Sequence, residues 1–217
     1  MPALAPHAPR LARRLRLPLR LEHDRGVAVT FDDGPHPEGT PAVLETLARH
    51  RARATFFLVG EQVRRRPELA RRILAEGHEL ALHGDRHVSL LVRSRRSVAD
   101  DWDRVQGTVA DATGVTAVLY RPPYGAFSSA ALVELYRRGW RTQLWSIWGR
   151  DWSRRATGAS IARRATRRLR PGDVVLLHDS DAYSSADSWR RTAAALPSVL
   201  DAIAALGVPA VSVSQVM

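Results

Sequence analysis

The sequence predicts one α/β domain, a distorted and incomplete (β/α)7 barrel built on a parallel sheet. From Gly26 onward, short apolar or β-branched runs alternate with longer stretches of helical period, which implies parallel strands joined by helical crossovers. The chain has 217 residues, which is short for an eightfold barrel. Polar residues recur where the apolar runs end, as expected at the rim of this fold. An open doubly wound sheet is the alternative.

Seven runs are predicted to be strands and six stretches are predicted to be helices. The predicted strands are residues 26–31, 54–60, 78–83, 117–120, 142–148, 173–178 and 209–214. The predicted helices are residues 40–50, 67–75, 97–112, 128–138, 160–169 and 188–205. The first helix has Thr40 as its N-cap and Pro41 at its first position, and the next two end at Gly77 and Gly114.

The composition limits the classes of function. The chain carries a formal net charge of +11, all 33 of its basic residues are arginine, and it has no cysteine. Disulfides and thiolate metal sites are therefore excluded, and any metal must be held by His, Asp or Glu. The arginine bias is typical of high-GC codon usage, and many of these side chains are expected on solvated helix faces. We expect no specific nucleic-acid partner, because no recognised binding motif accompanies the charge.

Residues 1–25 are interpreted as an Arg-rich N-terminal arm and residues 26–217 as the catalytic domain. The arm has no apolar run long enough for a secretory signal, and no stretch approaches the ~20 apolar residues of a membrane span. A cytoplasmic location is expected for the sequence as given, or a secreted or cell-wall location if a signal was removed. A surface-anchoring role of the arm is the alternative.

Neither GxGxxG nor GxxxxGK[ST] occurs at the expected places, so the sequence does not support nucleotide binding.

Residues able to do chemistry follow the predicted strands. They are Asp32 and Asp33, His83, Arg121, Asp151 and His178. Because the carboxyl ends of parallel strands meet at one rim, we expect these side chains to lie close together. This coincidence is the strongest argument from the residues alone that the chain is an enzyme.

The segment TFDDGP places two carboxylates side by side at the end of a strand. In a regular strand Asp32 and Asp33 would point to opposite faces, so both face one site only if the chain turns, and Gly34-Pro35 supplies a turn. A solvated Asp-Gly loop is the alternative.

In HGDRH, His83 and His87 are spaced i, i+4, so a helical turn would place both on one face. With a neighbouring carboxylate they make a His₂-carboxylate set, which suits a catalytic zinc site.

Four further residues complete the candidate site. Arg121, in RPPYG, is placed to pair with an aspartate and keep it ionised. His178 is a proton donor or acceptor suited to neutral pH, and Asp151 is its candidate partner, with Asp179 and Asp181 as alternatives. Trp152 is either a core residue or a platform for a sugar ring.

Taken together, TFDD, H-x-x-x-H, RPPYG, DW and LLH occur in the order found in the polysaccharide deacetylase family, carbohydrate esterase family four, which residues 26–214 resemble. The resemblance implies a distorted (β/α)7 barrel and one divalent metal, zinc or else Co, Ni or Mn. It also implies metal-assisted hydrolysis of N-acetyl groups from an N-acetylated saccharide, which gives a free amine and acetate. The substrate would be a chitooligosaccharide, peptidoglycan or a related amino sugar.

The same resemblance implies a role for each matching residue. Asp32 would be the base, Arg121 would orient it, and the metal ligands would be Asp33, His83 and His87. The backbone N–H of Tyr124 would donate to the oxyanion, and Asp151 would be the partner of the general acid His178. The acetyl pocket would be lined by Trp152 and Leu177. Two positions depart from the family pattern. Gly84 replaces a Ser or Thr, and Trp148 replaces an Asp, which leaves polymer specificity open.

Two other functions stay open at this point. The chain could deacylate a small intracellular amino-sugar metabolite, an expectation favoured because the sequence as given shows neither a secretory signal nor an accessory binding module. It could also be a non-catalytic saccharide-binding protein that has kept the fold. A monomer is expected.

Overall fold

The computed structural model describes residues 12, 14–15 and 17–216, in which a parallel sheet is covered by helices. Its strands are β1 (Val27–Asp32), β2 (Thr55–Leu58), β3 (Glu79–Leu82), β4 (Leu119–Tyr120), β5 (Arg141–Thr142), β6 (Ile147–Trp148), β7 (Val174–His178) and β8 (Ala210–Val211). The α-helices with defined bounds are α1 (Gly39–Arg49), α2 (Gly60–Arg65), α3 (Pro67–Ala75), α4 (Arg95–Thr113), α5 (Ser129–Arg137), α6 (Gly158–Thr166) and α7 (Ser188–Ala205). No helix among these residues is long and apolar enough to cross a membrane.

The strands lie in the order β5-β4-β3-β2-β1-β7-β6, and every pair is parallel, with β8 added to the first residues of β1. This curled sheet confirms the expected distorted (β/α)7 barrel. Because all strands run in the same direction, their carboxyl ends share one rim. Asp32 and His178 are partners in the register of β1 and β7, so two of the candidate residues lie side by side on that rim.

Alternate residues of each strand pack into two apolar clusters. One cluster fills the barrel interior and includes Ala28, Phe57 and Leu176, whereas the other lies under the helices and includes Val29 and Leu177. This alternation follows from the two-residue period of a strand. In β1 and β7, the alternate residues that face the barrel interior include Asp32 and His178 at the carboxyl ends of the two strands.

The prediction that residues 142–148 form one strand was wrong. The segment divides into β5 and β6, which lie on opposite edges of the sheet, and the residues between them cross the gap in the barrel. The buried side chain of Arg121 explains the break, because its guanidinium takes the carbonyls of Gln143 (2.8 Å) and Leu144 (3.2 Å) as acceptors. These carbonyls are thereby satisfied without a partner strand.

The N-terminal segment is not separate from the barrel where the structure describes it. Leu17 and Leu21 are buried in the interior cluster, and the Leu144 N–H donates to the Pro18 carbonyl at 2.9 Å. Arg20 also pairs with the buried carboxylate of Asp173 at the start of β7. The described apolar residues of this segment thus pack against the barrel, and the division into an arm and a catalytic domain stays a prediction. Residues 1–11, 13 and 16 of that arm lie outside the described residues.

The sequence predicted Thr40 as the N-cap of α1, but in the structure Thr40 lies inside the helix. The imidazole of His36 accepts from the Gly39 N–H at 2.9 Å and from the Glu38 N–H at 3.3 Å. The Thr40 hydroxyl instead donates to the buried carboxylate of Asp179, which follows β7. A tertiary contact thus takes the hydroxyl that local propensity would assign to the cap.

Candidate active site

A cavity of about 570 Å³ opens at the carboxyl ends of the strands. Its floor holds Asp32, Asp33, His83, His87 and His178. Its walls are Tyr124, Gly125, Trp145, Trp148, Arg150, Trp152, Ser153, Leu176, Tyr183 and Ser184. The topology therefore brings residues from distant parts of the sequence into one cavity.

Asp33, His83 and His87 form the group that suits a metal ion. Their ligand atoms lie within 4.8 Å of one another, with Asp33 Oδ1 at 3.6 Å from His83 Nε2 and at 3.4 Å from His87 Nε2. The backbone of Asp33 has φ 78°, so the chain turns at this residue and brings it to the same side as Asp32. His83 Nδ1 lies 2.7 Å from the Arg121 carbonyl, which fixes the ring so that Nε2 faces the carboxylate.

The protonation of this group fits a divalent cation. Burial lowers the pKa of His83 and of His87 to about 3, so both imidazoles are neutral and can act as ligands at pH 7. Burial also raises the pKa of Asp33 to about 7, because its charge lies away from water beside other carboxylates. Asp33 Oδ1 is buried and has no hydrogen-bond partner. Two neutral imidazoles and an unsatisfied carboxylate are the ligands expected of a site with open positions.

We expect Zn²⁺ to raise the free energy of unfolding of the chain. A cation that binds only the folded state adds about 2.7 kcal/mol at a free concentration of 100 Kd. Urea unfolding of the chelator-treated protein, with and without Zn²⁺, measures this change. His87→Ala is the control, because it removes one ligand, and an equal stabilisation of that variant would place the cation elsewhere.

The loop between the two histidines is not the helical turn that their spacing suggested. Residues 83–87 are irregular, and Gly84 adopts φ 89°. The Asp85 N–H donates to the buried carboxylate of Asp101 on α4 at 2.9 Å. The Asp85 carboxylate in turn accepts from Arg64 and from Arg104. Ion pairs between the buried Asp85 carboxylate and two half-exposed arginines thus hold the loop that carries His83 and His87.

Replacing Gly84 with serine, the residue type of the family pattern, is expected to destabilise this chain. A Cβ at Gly84 would lie 3.0 Å from the Arg86 carbonyl, at a φ that L-residues rarely adopt. We expect a loss of about 1–3 kcal/mol in the free energy of unfolding, together with weaker cation binding. Gly107→Ser on α4 is the control, because a Cβ there meets nothing within 4 Å. Equal urea midpoints for the two variants would show that the φ of Gly84 is unimportant.

Asp32 lies between Arg121 and the metal group. Arg121 Nη1 donates to Asp32 Oδ1 at 2.7 Å and to Thr30 Oγ1 at 2.9 Å, and the guanidinium stacks 3.8 Å from the centre of the Phe57 ring. Burial raises the pKa of Asp32, and the charge of Arg121 opposes that rise. The other oxygen, Oδ2, lies 3.8 Å from His83 Nε2. One oxygen is therefore held in place while the other faces the site.

His178 and Asp151 form a buried pair on the opposite wall. Asp151 Oδ1 is 2.9 Å from His178 Nδ1, and Asp151 Oδ2 accepts from the His178 N–H at 2.7 Å and from Thr192 Oγ1 at 2.8 Å. Burial opposes the charge of the imidazole, but the carboxylates of Asp151, Asp33 and Asp32 outweigh it and raise the pKa of His178 to about 10. The ring is therefore protonated at pH 7. Among the three aspartates that the sequence left open, Asp151 is the one in contact with His178 Nδ1.

Of the predicted substrate-contacting residues, Trp152 and Tyr124 line the cavity and Leu177 does not. Leu177 faces the helices and is part of the outer core, whereas Leu176 lines the cavity, because the interior phase of β7 is that of His178. Trp152 lies edge-on to the His178 ring with centroids 5.7 Å apart. Tyr124 lines the cavity and has φ 62°, a left-handed conformation at the end of the RPPY segment.

Tyr183 of the cavity was not predicted from the sequence, and Asp179, named there as an alternative partner of His178, makes a different contact. The Tyr183 ring stacks on His87 with centroids 4.5 Å apart, and its hydroxyl donates to Glu61. Asp179 is buried against α1 through Thr40, and burial raises its pKa to about 7. Both lie in the segment that follows β7. Topology indicates that this segment reaches the rim, but nothing in its sequence shows which side chains turn inward.

Comparison with known proteins agrees with this geometry. The sequence profile of the polysaccharide deacetylase family matches residues 21–142, more than half of the chain. The chain belongs to the polysaccharide deacetylase family. It is 38% identical over 183 residues to the chitooligosaccharide deacetylase of Sinorhizobium fredii, covering 82% of this chain and 85% of that protein.

Two further relatives cover almost the whole chain. The chain is 34% identical over 199 residues to a peptidoglycan-N-acetylglucosamine deacetylase of Bacillus cereus, covering 90% of this chain and 89% of that protein. A solved peptidoglycan N-acetylglucosamine deacetylase superposes with a TM-score of 0.85 at 25% identity, covering 93% of this chain and 92% of the other. The family and the fold inferred from the five motifs are confirmed.

Proposed function

We propose that this chain is a metal-dependent hydrolase that removes N-acetyl groups from an N-acetylated saccharide and gives a free amine and acetate. One observation carries the proposal: the Asp33, His83 and His87 group shares a cavity with a carboxylate, Asp32, and a protonated imidazole, His178. The Sinorhizobium fredii relative is named a chitooligosaccharide deacetylase and the Bacillus cereus relative a peptidoglycan-N-acetylglucosamine deacetylase. These names support the substrate class.

The first step is addition of water to the acetyl carbonyl. Asp33, His83 and His87 would hold a divalent cation, which would supply Lewis acidity and lower the pKa of a bound water. Asp32 Oδ2 accepts the proton of the attacking water, since Oδ1 is held by Arg121. The Tyr124 N–H is proposed to donate to the oxyanion, a contribution of roughly 3–4 kcal/mol for such a donor.

The second step breaks the carbon–nitrogen bond. His178 is charged below its pKa of about 10, so it gives the proton of its outer nitrogen to the departing amine while Asp151 holds the inner nitrogen. The bond's electron pair stays on the nitrogen, and acetate remains on the carbonyl side. Trp152 and Leu176 are proposed to surround the acetyl methyl group and to exclude other water from it.

Acetate release tests the function. Zn²⁺-loaded protein is incubated with tetra-N-acetylchitotetraose, a peptidoglycan-derived tetrasaccharide and a small N-acetylglucosamine glycoside, and acetate and free amine are both measured. We expect equal amounts of the two products from the oligosaccharides. Turnover of the small glycoside alone would favour the metabolite alternative, and no acetate from any of the three would contradict the proposal.

A further inference from the structure

A second concave surface adjoins the active-site cavity. We call it the basic depression, and it is lined by Trp152, Arg154, Ser184, Ser185, Ala186 and Arg191. Trp152 and Ser184 also line the catalytic cavity. A ligand that leaves the cavity on this side therefore crosses the Trp152 side chain and enters the basic depression. A saccharide of more than one ring can contact both surfaces.

The two arginines of the basic depression come from different segments of the chain. Arg154 is exposed in the loop between β6 and α6, and Arg191 lies in the first turn of α7. Arg191 Nη2 donates to Ser185 Oγ at 2.5 Å, which holds its guanidinium in place. Its Nη1 donates to the Ala186 carbonyl at 3.4 Å. These two bonds leave further Nη protons of an ordered guanidinium without a protein acceptor, which favours binding of an anion.

Among the described residues, no carboxylate lines the basic depression, and neither Arg154 nor Arg191 makes an ion pair. The nearest acidic side chains along the sequence are engaged elsewhere: Asp151 lies 2.9 Å from His178 Nδ1, and Asp187 pairs with Arg190 at 3.0 Å.

The catalytic cavity continues this basic surface on its own wall. Arg150 lines that wall with its guanidinium 4.8 Å from the centre of the Trp148 ring. The cavity and the adjoining basic depression are therefore lined by three arginines between them.

We propose that the basic depression binds a carboxylate carried by the saccharide, so that the preferred substrate is an acidic N-acetylated oligosaccharide. The sugar next to the reacting one would carry the carboxylate, because Trp152 separates the basic depression from His178. Arginine suits this group, since its planar guanidinium matches the two oxygens of a carboxylate. The proposal rests on the proposed function and adds a substrate class to it.

A matched pair of substrates tests this subsite. One is an N-acetylated tetrasaccharide whose second sugar carries a free carboxylate, and the other is its methyl ester. We expect a KM about tenfold lower for the acid than for the ester, with similar kcat, as a charge-assisted hydrogen bond would give. Arg154→Gln and Arg191→Gln are each expected to bring the ratio of the two KM values close to one.

Arg168→Gln is the control for the overall positive charge. Arg168 is exposed on the segment that leads into β7, at the end of the strand opposite His178, so its loss should leave the tenfold ratio intact. Equal KM values for the acid and the ester in the unmodified protein would overturn the proposal. An equal effect of Arg168→Gln and Arg154→Gln would overturn it too, because long-range attraction would then explain the preference.

A binding measurement separates failure of this inference from failure of the proposed function. Calorimetric titration of the Asp32→Asn protein with the acid and with the ester needs no turnover. If neither compound is hydrolysed by the unmodified protein, the proposed function fails, yet tighter binding of the acid still supports the subsite. Equal affinity for the two compounds overturns the subsite even where acetate is released.

Discussion

The Asp32→Asn variant is expected to bind its cation as the unmodified protein does and to lose turnover by about 10²–10⁴-fold, the usual contribution of a general base. Asparagine has the same shape and can still place its carbonyl oxygen against Arg121 Nη1, now 2.7 Å from Asp32 Oδ1. An amide does not accept the proton of the attacking water at neutral pH. Acetate release and the metal content of the purified variant measure the two effects separately.

Loss of a buried carboxylate also weakens the fold, because Arg121 is left without its counter-charge. Asp173→Asn is the matched control. Asp173 is equally buried and pairs with Arg20, but it lies at the opposite end of β7 from the cavity. We expect it to lower stability and to keep turnover. Activity of Asp32→Asn within tenfold of the unmodified protein would contradict the assignment of the base.

The Asp151→Asn variant is expected to lose about 10²-fold or more of kcat/KM at pH 8, since the general acid is then largely deprotonated. In the unmodified protein the pKa of His178 is about 10, so the imidazolium is present across neutral pH and is lost as the pH rises through that value. Without the carboxylate, burial dominates and the pKa of His178 falls. The alkaline limb of the pH profile must therefore move to lower pH.

A control variant accompanies this prediction. Burial raises the pKa of Asp151, but the charge of His178 and the hydrogen bonds to the carboxylate, one of them donated by Thr192 to Oδ2 at 2.8 Å, together outweigh burial and lower this pKa. Thr192→Val keeps the carboxylate ionised, so it should not move the alkaline limb to lower pH. A lower plateau with an unmoved alkaline limb in Asp151→Asn would mean that the aspartate only orients the ring.

Strand periodicity and strand-end chemistry were sufficient to predict the sheet and the rim. The sequence also predicted that α3 and α4 end at Gly77 and Gly114. Both glycines adopt a positive φ, 80° and 75°. Pattern failed where a tertiary contact overrides it. Arg121 divides a run of apolar residues into two strands, and Asp179 takes the hydroxyl of Thr40 away from the helix cap.

The site followed the same division. The metal group could be predicted because its three residues end strands or follow them closely, although the spacing of His83 and His87 suggested a helical turn that is absent. The conformation depends instead on Gly84 and on Asp101, which lies 16 residues beyond Asp85 in sequence. The resemblance implied Leu177 as a lining residue, whereas the two-residue period of β7 puts Leu176 on the same side as His178, and Leu176 lines the cavity.

The central claim is that Asp33, His83 and His87 hold the divalent cation on which deacetylation depends. Titrating Zn²⁺ into chelator-treated protein, while cation binding and acetate release from tetra-N-acetylchitotetraose are followed together, tests it most directly. We predict that both signals saturate at one equivalent and that His87→Ala lowers both. Acetate release by the metal-free protein, or full Zn²⁺ binding and activity in His87→Ala, would contradict the claim.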